Sequence, residues 1–400
     1  MHKELERGWN LFNEGKFEEA WQLITKFENL EDQSVDDKHY CRFLKALILM
    51  HMGNPQESIK IAEQDYEENR KQNKSLFLID TIFLKWGNLF MLARGGEAWE
   101  DVVLCEKLLK STTQESPNEL GLREGYYYHM RGYFYFWEKN YDKAMVYQKK
   151  SIVIFEKYDF DKTMIPSILA LLGHIYERKG ELENALKYHM QSIEYYQTIF
   201  SKSIIGKWIL ASSYDSLGVI YYQQGNLDIA LEYHEKSLKI WEQLNSPIYV
   251  SIVYMRLINI LVAKNSIERA KEYLDKFYQY NEKYKNLANT SNYKLANALI
   301  LKSSTRTRDR AEAEKELKII IKWHDHEVQS GSPGIAQEFS PAILLLSSLY
   351  LEELKTTNDM TILDEIKPLI ERLLKESERT NSYTLQAQTY LLQGKISLLR

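Results

Sequence analysis

Apolar and aromatic residues recur along this chain at three- and four-residue spacing, in long stretches separated by short polar turns, and no stretch alternates as a strand would. The spacing predicts helix pairs over residues 3–30, 38–71, 75–110, 122–157, 166–200, 207–244 and 249–285. A looser pair at 291–324 is broken by a polar run from Ser303 to Arg310, and a ninth pair occupies 340–378 after the punctuation Gln329-Ser330-Gly331-Ser332-Pro333-Gly334. Residues 383–400 read as a helix without a partner, with Leu385, Leu391, Leu392, Ile396, Leu398 and Leu399 on more than one face. Such a terminal helix predicts an array that continues past Arg400, or self-association through 383–400. Pro55, Pro117, Pro166, Pro247, Pro333 and Pro341 fall where helices begin or connections run, and only Pro368 lies inside a helical pattern. The fold class is all-α.

Within this pattern one phrase repeats. Leu172-Gly173-x-x-Tyr176, Gly180, Ala185-x-x-Tyr188-His189-x-x-Ser192 returns 45 residues later as Leu217-Gly218-x-x-Tyr221, Gly225, Ala230-x-x-Tyr233-His234-x-x-Ser237. A looser copy, Gly132-x-x-Tyr135, Ala144-x-x-Tyr147 and Ser151, lies 41 residues earlier. Self-similarity at a fixed period marks a stacked array. Gly173 and Gly218 in the first helix, and Ala185 and Ala230 in the second, let two backbones approach, while Tyr176 and Tyr221 fill the space beside that contact. Gly180 and Gly225 stand where a left-handed cap would end the first helix.

This arrangement resembles the tetratricopeptide repeat family, strongly over 122–157, 166–200 and 207–244. The resemblance is weaker in 75–110 and 291–378. The pairs Gly8/Ala20, Ala46/Ser58, Gly87/Trp99, Gly132/Ala144, Gly173/Ala185, Gly218/Ala230 and Ile258/Ala270 are each 12 apart. Trp99 for Ala, and Arg131 for the Leu before Gly132, depart from the family pattern. Because the family period is about 34 residues, the extra residues belong to the second helix or the connection after it. The longer form is similar to kinesin light chain and Pins-type adaptors. The resemblance implies one solenoid domain over 1–400: a right-handed superhelix of about nine helix pairs plus a terminal helix, acting as a non-enzymatic, cytoplasmic scaffold.

Composition narrows the partners. A formal charge of −4 offers no basic footprint for nucleic acid. No apolar run is long enough to span a bilayer. Cys41 and Cys105 are too few and too far apart for a disulfide framework, which points to a reducing compartment. No phosphate-cradling glycine loop, nucleophile elbow or cysteine pair at zinc spacing is present, so no catalytic residue, cofactor or metal is assigned. In Trp323-His324-Asp325-His326 the two histidines would diverge on a helix. His189 and His234, at one repeat address, read as packing residues with one hydrogen bond each. Lys302, Arg306, Arg308 and Arg310 read as a solvated basic connection.

The densest aromatic stretch runs from Tyr126 to Trp137, where Tyr126, His129, Tyr133 and Trp137 share one helical stripe. By the family resemblance these are concave-groove addresses. The same addresses in neighbouring repeats hold Asn88, then His174, Glu177 and Arg178, then Asp215, Tyr222 and Gln223, then Asn259. The stripe predicts a groove that binds a peptide or protein segment, with Asn88 and Asn259 pairing with its backbone amides. The alternative is that the aromatics pack against adjacent first helices. A second functional reading is a peptide-responsive regulator similar to Rap-type proteins, whose superhelix tightens around its ligand. That family carries an N-terminal helical effector module, whereas repeat spacing here begins at Gly8.

Overall fold

The computed structural model describes residues 2–30, 33–91, 94–112, 117–157, 164–199, 203–330, 336–379 and 382–398. Its helices are α1 (Lys3–Asn13), α2 (Phe17–Glu28), α3 (Val35–His51), α4 (Pro55–Lys71), α5 (Ser75–Met91), α6 (Trp99–Ser111), α7 (Pro117–Trp137), α8 (Tyr141–Lys157), α9 (Met164–Arg178) and α10 (Leu182–Ile199). They continue with α11 (Ile204–Gln223), α12 (Leu227–Gln243), α13 (Pro247–Ala263), α14 (Ile267–Lys283), α15 (Leu287–Lys302), α16 (Thr307–Ser330), α17 (Ala336–Thr357), α18 (Ile362–Arg379) and α19 (Tyr383–Ser397). Among the described residues these form nine consecutive helix hairpins and a last helix, with no strand. No helix described is long and apolar enough to cross a membrane.

Where the sequence reads as one elongated domain, the contacts group into two compact units, Met1–Ser216 and Leu217–Arg400, divided within α11. In the first unit the leading helices stack as neighbours, α1 on α3, α3 on α5, α5 on α7 and α7 on α9, each also packed on its hairpin partner. The core is continuous through Leu5, Phe12, Ile24, Leu44, Ile48, Ile79, Tyr126 and Phe155. Full burial of each such side chain contributes roughly 1.5–3 kcal/mol. In the second unit α13, α15, α17 and α19 stack likewise.

Repeat chemistry recurs as geometry. Gly180 (φ 77°) and Gly225 (φ 80°) end α9 and α11 in the left-handed region. Their caps return Glu181 N to Tyr176 O, and Asn226 N to Tyr221 O, each at 2.9 Å. Tyr176 stacks on Tyr188 at 5.3 Å and Tyr221 on Tyr233 at 5.6 Å, with planes within 8° and 1° of parallel. Ser151 and Ser192 donate to first-helix carbonyls of Gly125 and Pro166 at 2.8 and 2.9 Å.

Four expectations are corrected. The first-helix glycines meet the residue 16 positions on, not the Ala at 12: a Cβ on Gly173 would come within 2.7 Å of His189, and one on Gly218 within 2.6 Å of His234. In the third hairpin a 3-10 turn, Gly95–Ala98, delays α6 by one helical turn. Val102, fully buried, therefore takes the address where Trp99 was placed. Pro341 lies inside α17. Finally, α19 has partners, since it packs on α17 and α18 with Leu385, Leu392 and Ile396 buried. Tyr390, Leu391 and Leu398 remain exposed on it; Leu399 lies outside the described residues.

Candidate functional site

The α7 stripe grades from core to surface. Tyr126 is wholly buried, stacked on Phe83 at 4.0 Å and set against Phe155 at 5.3 Å. His129 is equally enclosed: its Nδ1 lies 2.8 Å from Gln148 Oε1, and the Gln148 amide donates to His129 O at 2.9 Å. That pairing makes Nδ1 the donor and leaves Nε2 to accept from Ser167 Oγ at 3.3 Å. Burial lowers the His129 pKa, opposed by the Gln148 hydrogen bond, to about 4. Asn88 is buried as well and donates to Ser58 Oγ and Leu84 O, both at 2.8 Å. Tyr126, His129 and Asn88 are therefore buried between helices and not open to a groove, although Asn88 Oδ1 has no hydrogen-bond partner.

Towards the end of α7 the stripe opens. Tyr133 is partly buried and Trp137 is 41% exposed. Phe90 of α5 stacks on Trp137 (5.8 Å, 12°), touches Tyr133 edge-on (5.3 Å) and meets Trp208 of α11 (5.9 Å). Trp86 braces Tyr133 from below at 5.3 Å. Phe90 and Trp208 were not legible as site residues, since no spacing links positions on helices so far apart in the chain. The same return of the chain sets His51 Nδ1 2.8 Å from Ser203 Oγ, and Ile204 against Gly53. Within the first unit, then, the start of α11 rests on the end of α3.

Beside the aromatics lies a polar trio. His174 Nε2 is 3.3 Å from Ser212 Oγ, and its Nδ1 is 3.3 Å from Ser216 Oγ and 3.8 Å from Glu177 Oε2. The His174 ring meets His189 nearly edge-on at 4.8 Å. Burial pushes the Glu177 pKa up, but the His174 hydrogen bond and charge, then Arg178 and His189, outweigh it and hold the carboxyl at about 2. His189 is fully buried over Gly173 with neither ring nitrogen hydrogen-bonded, which corrects the expectation of one hydrogen bond. Burial and the charge of His174 bring its pKa to about 3, Glu177 opposing. Arg178 is exposed and Asp215 partly buried.

Tyr222, Gln223 and Asn259 belong to the second unit. Asn259 Nδ2 donates to Tyr222 Oη at 3.1 Å, so one predicted ligand contact is already spent internally. Of the basic connection, Lys302 pairs with Glu352 at 2.6 Å and Arg310 with the same carboxylate at 3.6 Å. His324 stacks on Phe339 at 3.7 Å. Cys41 and Cys105 are free and buried, and burial raises both thiol pKa values, that of Cys41 to about 12.

Family models described as tetratricopeptide repeat match residues 166–198 and 210–247. No curated protein sequence matches the chain. The fold is similar to the crystal structure of a Rap protein complexed with competence and sporulation factor, at 15% identity over 96% of this chain and 98% of that one, with a TM-score of 0.59. It is also similar to the apo form of the quorum sensor NprR from B. thuringiensis (15% identity, 92% and 97% covered, TM-score 0.60). NprR in complex with its cognate peptide NprX aligns at 14% identity over 89% and 97%, with a TM-score of 0.51. At such identities the likeness speaks for the fold. Together with the repeat models, it gives the chain tetratricopeptide repeats at 166–198 and 210–247 within an all-helical fold of the tetratricopeptide-repeat type.

Proposed function

We propose that this chain is a non-enzymatic peptide-binding protein that takes an extended peptide or protein segment on the aromatic face of its first unit. The observation that carries this reading is Trp137, 41% exposed yet held against Phe90 and beside Tyr133. Rigid, half-open aromatic area of this kind is typical of binding hot spots. His174, Glu177 and the exposed Arg178 supply polar contacts at the neighbouring repeat's equivalent addresses. Selection from a random peptide library against the immobilised chain tests it. Enriched peptides should lose about 2 kcal/mol or more of affinity on Trp137→Ala. Equal binding to that variant would end the assignment.

A peptide-responsive regulator is supported by the contact between Ser203 and His51, which joins the start of α11 to the end of α3. Trp208 of the same helix α11 meets Phe90 on the proposed peptide face. Alignment over nearly the full length of the Rap and NprR structures supports the same reading. X-ray scattering with and without a selected peptide separates the two: a regulator changes its radius, a scaffold does not.

A further inference from the structure

We infer that His174, Glu177 and His189 form a zinc(II) site in the fifth hairpin. One ligand atom from each lies within 4.8 Å of the other two. His174 and Glu177 stand three apart on α9 and so share a face, while His189 reaches them from α10. Two imidazoles and a carboxylate are a common zinc donor set that leaves a fourth position for water or another ligand. Zinc bonds of about 2.1 Å would bring tetrahedral ligand atoms to about 3.4 Å from one another. The contraction needed falls on His174 and Glu177, whose side chains are 28% and 16% exposed, while His189 is fully enclosed.

A second observation points to a ligand independently. His189 is fully buried, and neither of its ring nitrogens has a hydrogen-bond partner. An imidazole so placed carries an uncompensated desolvation cost that a metal bond removes. Around it the orienting contacts exist. With Nδ1 of His174 turned to the metal on the Glu177 side, Nε2–H faces Ser212 Oγ at 3.3 Å, the kind of outer contact that sets ring orientation and tautomer.

The repeats provide an internal comparison. The equivalent addresses hold Tyr133, Phe136 and Gln148 in the fourth hairpin, and Val219, Tyr222 and His234 in the sixth. Only the fifth of these three brings three ligands together, and since they come from two helices no sequence motif announces them. His174 and Glu177 also belong to the proposed peptide face, but zinc uptake is read without any peptide, so the two readings can fail separately.

The test titrates zinc(II) into the full chain, stripped with chelator and dialysed, against a chromophoric indicator. One ion should bind with micromolar or tighter affinity, and cobalt(II) should give the visible absorption of a tetrahedral site. His174→Ala, Glu177→Gln and His189→Gln should each weaken binding at least tenfold. His189→Gln installs the residue that the fourth hairpin uses opposite its own glycine, so its unchanged thermal melt would show that the loss is not unfolding. Absence of zinc binding by the wild-type chain, or equal uptake by all three variants, would overturn the proposal.

Discussion

The guanidinium of Arg131 lies 4.9 Å above the ring of Trp99. Both residues depart from the family pattern, and they meet. Arg131 also covers Tyr135 at 4.9 Å and donates to its hydroxyl at 2.9 Å. Trp99 is free to take this position because the 3-10 turn Gly95–Ala98 moves the start of α6 and gives the small-residue address to Val102. Trp99→Ala, Arg131→Leu and the double variant should show a coupling of about 0.5–2 kcal/mol in urea unfolding. Strictly additive losses would mean that the pair contributes nothing.

Overpacking tests the sixth hairpin. Ala230 is fully buried, and a Cβ on Gly218 would stand 2.6 Å from the His234 ring. Ala230→Leu and Gly218→Ala should each cost about 1–3 kcal/mol. An unchanged melting temperature for both would show that the two helices are not in this register.

Lys139, at φ 59°, occupies the left-handed turn position that Gly180 and Gly225 hold in the next two hairpins. A side chain there costs about 1–2 kcal/mol, offset in part by the entropy glycine loses on folding. Lys139→Gly should therefore stabilise by roughly 0.5–1 kcal/mol. Gly225→Ala should destabilise by about 1 kcal/mol through backbone strain alone, since a Cβ there meets nothing within 4 Å. Melts of the two variants should move in opposite directions.

The stripe on α7 should split by burial. Tyr126→Ala removes a fully buried ring and should cost about 3–5 kcal/mol, by analogy with other buried aromatics. Trp137→Ala should cost far less, because its ring is already part exposed. Equal losses in chemical denaturation would mean that both rings are core and that the open end of the stripe is no binding surface.

Acid should weaken the fold through buried neutral histidines. Burial holds His51 at about 3, and holds His129 at about 4 against the Gln148 hydrogen bond. Their unfolded values lie near 6.5, so as pH falls below that value the unfolded chain takes up protons that the folded chain refuses. Stability should fall by up to about 1.4 kcal/mol per pH unit for each, down to its native value. His39 acts with the opposite sign. Burial lowers its pKa, but the hydrogen bonds and charges of Asp65 and Asp80 outweigh it and the net shift is upward. Its contribution is complete below about pH 6.5 and is lost as pH rises through its raised native value. Urea unfolding at several pH values should show a shallower acid limb for His129→Gln; an unchanged limb would rule His129 out as a source.

The helix hairpins, their turns and the stacking addresses were readable because they are local: three- and four-residue spacing, a glycine where the backbone turns left-handed, and small residues where two helices touch. His189 and His234 were legible as packing residues because they share one repeat address; that each lies over a glycine of its own hairpin was not. The candidate site was readable only in part. Whether a first-helix residue is groove or core depends on how far the neighbouring helices reach over it. Phe83 and Phe155 close over Tyr126, while Trp137 at the other end of the same stripe stays open. The meeting of Phe90 with Trp208, the gathering of His174, Glu177 and His189, and the docking of α19 on α17 and α18 join residues whose spacing in the chain carries no signal. Local periodicity decides what a helix buries against its own partner; the contacts that build a site are decided by packing between helices that the sequence leaves far apart.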